Sequence, residues 1–438
     1  MDNATSAIDQ VEANVPVSFY VLKVASRCNL NCKYCYMYNL GDLSYQGQPK
    51  VMSDAVITAM VTKIKLHSAK HNLRSVVMVF HGGEPMLAGM VFFRKLVDEA
   101  KRNLLPEVTP RFCMQTNGTL LTPEWINLLS ELEIGFGISL DGPPELNDQN
   151  RIDHAGQGSY QTVRNAIEMT LSHERGKELF GSVLTVVNLE SDPITTYTHF
   201  KGMGLRGVDF LLPEGTYDAP PPGLELRVSG TPYADWLIPI FDRWFEESDP
   251  SFRIRFFENI VALIFGSLHS TDNIGGRENH VLVIETDGGI EPVDVLKSCG
   301  HEFTKLGLNV LTHEIDDVYQ SSLIRTYQAG ARALCATCRS CPIVDVCGGG
   351  YIPHRFRATN AFNNPSVYCR DLSKLITHIQ AKVLQTIPPH TRQRLGLAPM
   401  MDEEVRAILE SVRLDAREEA SIAGVNPAVV RLPMLQVR

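Results

Sequence analysis

Residues 28–35 read Cys28-Asn29-Leu30-Asn31-Cys32-Lys33-Tyr34-Cys35, a C-x3-C-x2-C run that directly follows a predicted strand, Ser18–Val24. Three thiolates in one short loop can hold three irons of a cubane. Iron–sulfur clusters normally take four cysteines, so a missing fourth leaves one iron open to a small molecule. The alternative is a zinc loop. Zinc sites favour C-x2-C pairs completed by a second pair or by histidine, and the x3 spacing with no nearby histidine fits that poorly.

Outward from this loop, the first half alternates β-rich runs with stretches of helical period. Further strands are predicted at Ser75–Phe80, Arg111–Gln115, Phe136–Leu140, Ser182–Val187 and Val208–Leu212. Helices are predicted over Ser53–Ser68, Val91–Leu104, Pro123–Leu132, Tyr160–Ser172 and Thr195–Met203. Six strands joined by crossover helices imply a parallel sheet. Six units fall short of the eight of a closed barrel, so the expected form is an open, partial α/β barrel with its chemistry at the strand C-terminal ends. The cysteine run lies at such an end.

The 438 residues allow two or three domains at ~150 residues each. Lys plus Arg number 41 against 50 Asp plus Glu, a net charge of −9, which offers no basic field for nucleic acid or an anionic membrane. The longest apolar runs, Val76–Phe80 and Ile260–Phe265, are far below the ~18 residues a bilayer span needs. Residues 1–14 carry Asp2, Asp9 and Glu12 and have no secretory pattern. The expected compartment is the reducing cytoplasm, where the 10 cysteines read as metal ligands rather than disulfides.

With Tyr34 before its last cysteine, the triad resembles the signature of radical S-adenosylmethionine (SAM) enzymes. The resemblance implies a [4Fe–4S] cluster on Cys28, Cys32 and Cys35 whose open iron is chelated by the amino and carboxylate groups of SAM, which is cleaved by one electron to methionine and a 5′-deoxyadenosyl radical. Later strand ends carry motifs in the order this family uses. Gly82-Gly83-Glu84-Pro85 is similar to its GGEP loop, Gln115-Thr116-Asn117-Gly118 to its TNG, and Ser139-Leu140-Asp141-Gly142 with Arg151 to its ribose and carboxylate contacts. Tyr34, Gly82, Gly83, Glu84, Asn117, Ser139 and Arg151 are thereby the expected SAM-binding residues.

Beyond the loop Pro213–Pro222, helices are expected at Tyr233–Glu247, kinked at Pro239, and at Phe256–Leu268. A hairpin is expected at His280–Glu285 and Ile290–Val295. The run Cys335-x2-Cys338-x2-Cys341-Pro342-x4-Cys347-Gly-Gly-Gly-Tyr351, followed by Cys369, resembles the SPASM extension of peptide-modifying radical SAM enzymes. That implies an auxiliary [4Fe–4S] cluster on Cys338, Cys341, Cys347 and Cys369, with a four-cysteine zinc site as the alternative. The pattern departs where Tyr351 and Thr312 replace cysteines and where Asp294 stands in an upstream position. A second auxiliary cluster is therefore not expected, and Cys299 and Cys335 read as residual ligands or buried thiols. Cys113, inside a strand, reads as packing.

The implied organisation is a tail (1–15), a partial (β/α)6 TIM-like radical SAM barrel (16–230), a helical bridge (231–274), a SPASM-like iron–sulfur domain (275–385) and a helical tail (386–438), with a helix at Asp402–Arg417. Asp209–Pro213, Trp236 to Trp244, Glu285–Gly288 with Asp294–Lys297, and Cys347–Arg355 leading to Asn364–Cys369 look like FxsB-type cyclophane-forming maturases. Such enzymes join an aromatic ring to the β-carbon of a nearby residue in a ribosomally made precursor peptide. The implied partners are that peptide, a one-electron donor such as flavodoxin or ferredoxin, and, with no fused recognition domain expected, the enzyme body itself or a separate leader-recognition protein. Asp294 and His354, then Glu214 and Asp218, are the candidate bases for the released proton, and His81 either orients the site or packs beside it. The alternatives are thioether formation, epimerisation, sulfatase maturation, or a metal-binding regulator that is not an enzyme.

Overall fold

The computed structural model describes residues 15–224, 230–268 and 271–407. These described residues fall into two compact units, the first holding those of 15–191, 195–211 and 280–328, the second those of 192–194, 212–279 and 329–407.

In the first unit six strands, β1 (Phe19–Ala25), β2 (Ser75–Gly82), β3 (Thr109–Thr116), β4 (Ile134–Ser139), β5 (Phe180–Val186) and β6 (Gly207–Leu211), run parallel in sequential order. The crossovers are α1 (Asp54–Lys70), α2 (Met90–Leu104), α3 (Pro123–Leu132), α4 (Pro144–Asn150) with α5 (Tyr160–Ser172), and α6 (Pro193–Gly202). The six strands and α1, α2, α3, α5 and α6 lie within a few residues of their places in the sequence reading, while the short α4 has no counterpart in it. Ser53 and Thr122 cap α1 and α3 by accepting from Val56 N and Trp125 N.

The parallel pairs fix which face each side chain takes. Leu22 is level with Phe80, Phe80 with Met114, and Thr116 with Ile138. Phe80 meets Phe93 of α2 with ring centroids 5.0 Å apart, so this face packs on the helices and is buried. Side chains alternate across a strand, so Lys23, His81, Gln115 and Ser139 take the opposite face, at the C-terminal ends.

On the other side of β1 the sheet continues with β7 (Val281–Ile284), parallel to it, then β8 (Gly289–Glu291) and β9 (Leu308–Asn309), both antiparallel. The predicted hairpin thus forms, but it extends the barrel sheet instead of joining the later cysteines. Its β-rich, apolar Val281–Ile284 run finds an unpaired edge at β1, which hydrophobic pattern alone does not reveal.

The second unit is built on α7 (Pro232–Glu247), α8 (Arg255–Ile264) and α9 (Cys369–Gln385). Phe241 packs on Phe257 at 5.3 Å and Tyr233 on Tyr368 at 5.0 Å. Asp371 Oδ1 accepts from Tyr233 N and Ala234 N at 2.8 and 3.0 Å, capping α7 from a neighbouring helix. Pro239 lies inside α7 without ending it. Residues 402–407 are helical; the rest of the predicted tail helix, and the N-terminal tail, lie outside the described residues.

Candidate functional site

The loop after β1 carries Cys28, Cys32 and Cys35, all half-buried. Its backbone is seated on the end of β2: Gly83 N donates to Ala25 O at 2.8 Å and Glu84 N to Arg27 O at 3.0 Å. A Cβ on Gly83 would stand 2.3 Å from Arg27 O and 2.1 Å from Tyr38 Oη, so this seat exists only with glycine. The region after α4 closes the other side, where Asn31 N donates to Ile152 O at 2.7 Å and Lys33 N to Asn150 O at 3.1 Å.

The expected SAM residues cluster around this loop. Glu84 is fully buried and its carboxylate accepts from Met86 N (3.1 Å), Thr116 Oγ1 (2.8 Å) and Asn117 N (2.8 Å), tying the second motif to the third. Burial pushes its carboxyl above the usual range despite those bonds. Asn117 Nδ2 reaches Asn29 Oδ1 at 2.9 Å and Cys28 Sγ at 3.6 Å. Tyr34 donates to Asp141 and accepts from Arg151 Nη1 at 2.9 Å. Arg151 Nε is buried without a hydrogen-bond partner. Ser139 Oγ accepts from Gln115 Nε2 at 2.9 Å, which leaves its own proton to donate.

Beside this group lies a cluster the sequence reading found only in part. Lys23, a fully buried cation in the strand run Phe19–Ala25, pairs with Asp294 and lies 3.1 Å from His81 Nδ1. Tyr36, the residue after Cys35, donates to Asp294 Oδ2 at 2.9 Å. Burial alone would raise the Asp294 carboxyl, but the Lys23 ammonium, His81 and these hydrogen bonds hold it well below the ordinary range. Burial and Lys23 push His81 down to about 4. The signal for Lys23 is a lysine in mid-strand among apolar residues.

In the second unit Cys338, Cys341, Cys347 and Cys369 line one cavity with Ile343, Val344 and Pro365. Gly348, at φ +63°, makes the turn after Cys347; a Cβ there would stand 2.0 Å from Gly276 N. Cys335 packs with Leu334 and Cys338 outside this lining, and its thiol is pushed below the ordinary range, first by its bond with Cys338, with Arg355 and Arg339 adding to that. Arg355, buried beside these sulfurs, was not singled out from the sequence. Of the proposed bases, His354 lies in this unit, 3.4 Å from Glu214 Oε2, with its ring 4.8 Å from that of Tyr368. Asp218 accepts from Ala358 N at 2.6 Å, an anchoring bond between two loops. Asp294 and His354 thus belong to different units. Cys299 ends a 3-10 turn, Asp294–Cys299, in the first unit. Cys113 corrects its sequence reading: it is exposed on β3, because the alternation that buries Phe112 and Met114 turns it to the other face.

The donor chemistry fits polynuclear iron. Four sulfurs about 2.3 Å from one zinc stand under ~4 Å from each other, whereas neither cysteine set brings three sulfurs within 4.8 Å of one another among the described residues. The unpartnered Arg151 Nε, buried next to the triad, fits an anionic ligand group there.

Comparison with known proteins bears on this. Residues 22–191 match the Radical SAM superfamily model. A cysteine-type anaerobic sulfatase-maturating enzyme of Clostridium perfringens (strain 13 / Type A) is 25% identical over 345 residues, 76% of this chain and 88% of that one. A serine-type counterpart from Bacteroides thetaiotaomicron is 26% identical over 369 residues, 78% of this chain and 84% of that one. The solved structure described as native anSMEcpe with bound AdoMet and Cp18Cys peptide superposes with a TM-score of 0.70 at 23% identity, covering 85% of this chain and 99% of that chain, a likeness of fold.

Proposed function

Starting from the premise that this chain is a radical SAM enzyme, we propose that it modifies a peptide by oxidising one side chain at its β-carbon. The two curated relatives described above are sulfatase-maturating enzymes, aligned over 76% and 78% of the chain. That supports conversion of a peptide Ser or Cys to an aldehyde above the aromatic crosslinking suggested by the FxsB-like motifs, which rests on short stretches of sequence. Both need the same first event, removal of a Cβ hydrogen.

The observation that carries the proposal is three sulfurs on one strand-end loop beside a buried, unpartnered guanidinium N–H. Cys28, Cys32 and Cys35 are the proposed ligands of a [4Fe–4S] cluster, and Cys338, Cys341, Cys347 and Cys369 those of an auxiliary one. Together with SAM, the first supplies a one-electron cleavage that yields a hydrogen-abstracting species. Arg151 Nε donates to the SAM carboxylate. Glu84 keeps one lone pair beyond its three internal bonds for the ammonium, and Ser139 Oγ donates to the ribose. Asp294, held ionised by Lys23 and Tyr36 and therefore a weak base, orients these two groups beside the triad and does not keep the released proton. Arg355 balances the charge of the auxiliary sulfurs. The electron donor is a reduced small protein of the flavodoxin or ferredoxin kind.

The test is anaerobic turnover with SAM, reductant and a peptide encoded beside this chain, followed by mass spectrometry and hydrazide labelling. An aldehyde appears as a hydrazide-reactive product, with two hydrogens lost if Ser is the target. Loss of two hydrogens without labelling favours a crosslink, and an unchanged mass with SAM cleavage favours epimerisation. Absence of 5′-deoxyadenosine rejects the proposal.

A further inference from the structure

His67 and His71 lie one turn apart at the C-terminal end of α1, which places both imidazoles on one side of the helix with ring centroids 4.4 Å apart. Asp316, from the 3-10 turn Ile315–Gln320, faces them: its Oδ1 lies 2.6 Å from His67 Nδ1 and 3.0 Å from His71 Nε2. The three donor atoms stand within 4.8 Å of one another, the closest such grouping of His, Cys, Asp and Glu among the described residues.

The protons on His67 do not match its neighbours. Nε2 lies 3.1 Å from the Val17 carbonyl and Nδ1 faces the Asp316 carboxylate, so both ring nitrogens meet acceptors. A neutral imidazole carries one N–H and can satisfy only one of them. The side chain is 1% exposed, so water does not mediate either contact. A cation at Nδ1 removes the conflict, because Nε2 then keeps the proton and donates it to Val17 O. Metal-bound histidines habitually make that outer bond to a carbonyl. The negative end of the α1 dipole also favours positive charge here.

We propose that His67 Nδ1, His71 Nε2 and Asp316 Oδ1 bind a divalent transition ion of the zinc class, separate from both cysteine sets. Two histidines and a carboxylate with a remaining position for water form a ligand set that zinc accepts readily. Zinc bonds of about 2.0–2.1 Å put neighbouring ligand atoms about 3.3 Å apart, so Asp316 withdraws by about 0.7 Å from His67 and about 0.3 Å from His71 as the ion enters. Lys70 Nζ, 2.5 Å from Asp316 Oδ2 and largely exposed, remains on the outer oxygen. The ion would clasp α1 to a segment 249 positions further along the chain.

The test uses iron-replete holoprotein equilibrated anaerobically with zinc chloride and freed of loose metal by gel filtration. Elemental analysis is expected to find about one zinc per chain that Asp316→Asn and His71→Ala each lose with iron unchanged, and zinc is expected to raise the melting temperature of the wild type alone. No retained zinc in the wild type, or equal zinc in wild type and both variants, overturns the proposal and leaves the trio as an ion-paired cluster around a doubly protonated His67. His71, partly exposed at the helix end, provides the variant whose folding is secure.

Discussion

Lys23 and Asp294, 271 positions apart in the chain, form a buried ion pair beside the cysteine loop, with Tyr36 bonded to the same carboxylate oxygen. Lys23 comes from mid-strand β1 and Asp294 from the start of a 3-10 turn, so the pair links the barrel to the segment that extends its sheet. Lys23→Met removes the counter-charge and leaves a buried carboxylate, at a cost of about 3–5 kcal/mol. Anaerobic urea unfolding checks this. The double variant Lys23→Met with Asp294→Asn is expected to regain part of the loss, and a single variant as stable as wild type would mean the pair carries no structural weight.

Gly83→Ala is expected to destabilise the loop of the triad by about 2 kcal/mol or more, because the new methyl meets Arg27 backbone that cannot withdraw. Iron content should drop by the share of one cluster while the auxiliary share stays. Full iron content with unchanged stability would show that the seat described here tolerates a side chain.

The two cysteine sets are separable. Cys28→Ala, Cys32→Ala or Cys35→Ala should each abolish 5′-deoxyadenosine formation. Cys338→Ala or Cys369→Ala should remove about four irons and still permit SAM cleavage. Continued cleavage in any of the first three excludes that residue as a ligand, and wild-type iron in the last two excludes the auxiliary assignment.

His81 gives a pH signature. Its pKa falls from 6.5 to about 4 through burial and the Lys23 ammonium. The fold therefore disfavours the charged imidazole, so the contribution is whole above pH 6.5 and fades as pH drops towards about 4. It amounts to about 3 kcal/mol. His81→Gln should flatten the stability profile over that window by this amount, measured by denaturant titration at several pH values; parallel profiles would contradict it.

Most of the first unit was legible in the sequence because the β-rich runs alternate with stretches of helical period, two of them opened by the capping residues Ser53 and Thr122, and because the motifs fall at strand C-terminal ends. The convergence of Glu84 on Thr116 and Asn117 was not legible, since a GGEP turn carries no sign of what its carboxylate will accept. Lys23 escaped notice because pairing across 271 positions leaves no local pattern. The hairpin at residues 281–291 was recognised as a hairpin yet assigned to the wrong neighbours: its period fits any free edge, and only the fold supplies β1. Cys113 was misread for a similar reason, since a strand run names two faces without saying which is covered.

Burial of the cysteine loop also bears on handling the protein in air. With Cys28 and Cys35 pushed up to about 12 and 11, hardly any of either sulfur is anionic at neutral pH. Alkylating agents and peroxide attack the anion, so a chain stripped of iron keeps these two sulfurs unspoiled for longer than exposed ones. Preparations that have bleached should accordingly regain their colour on treatment with ferrous iron and sulfide.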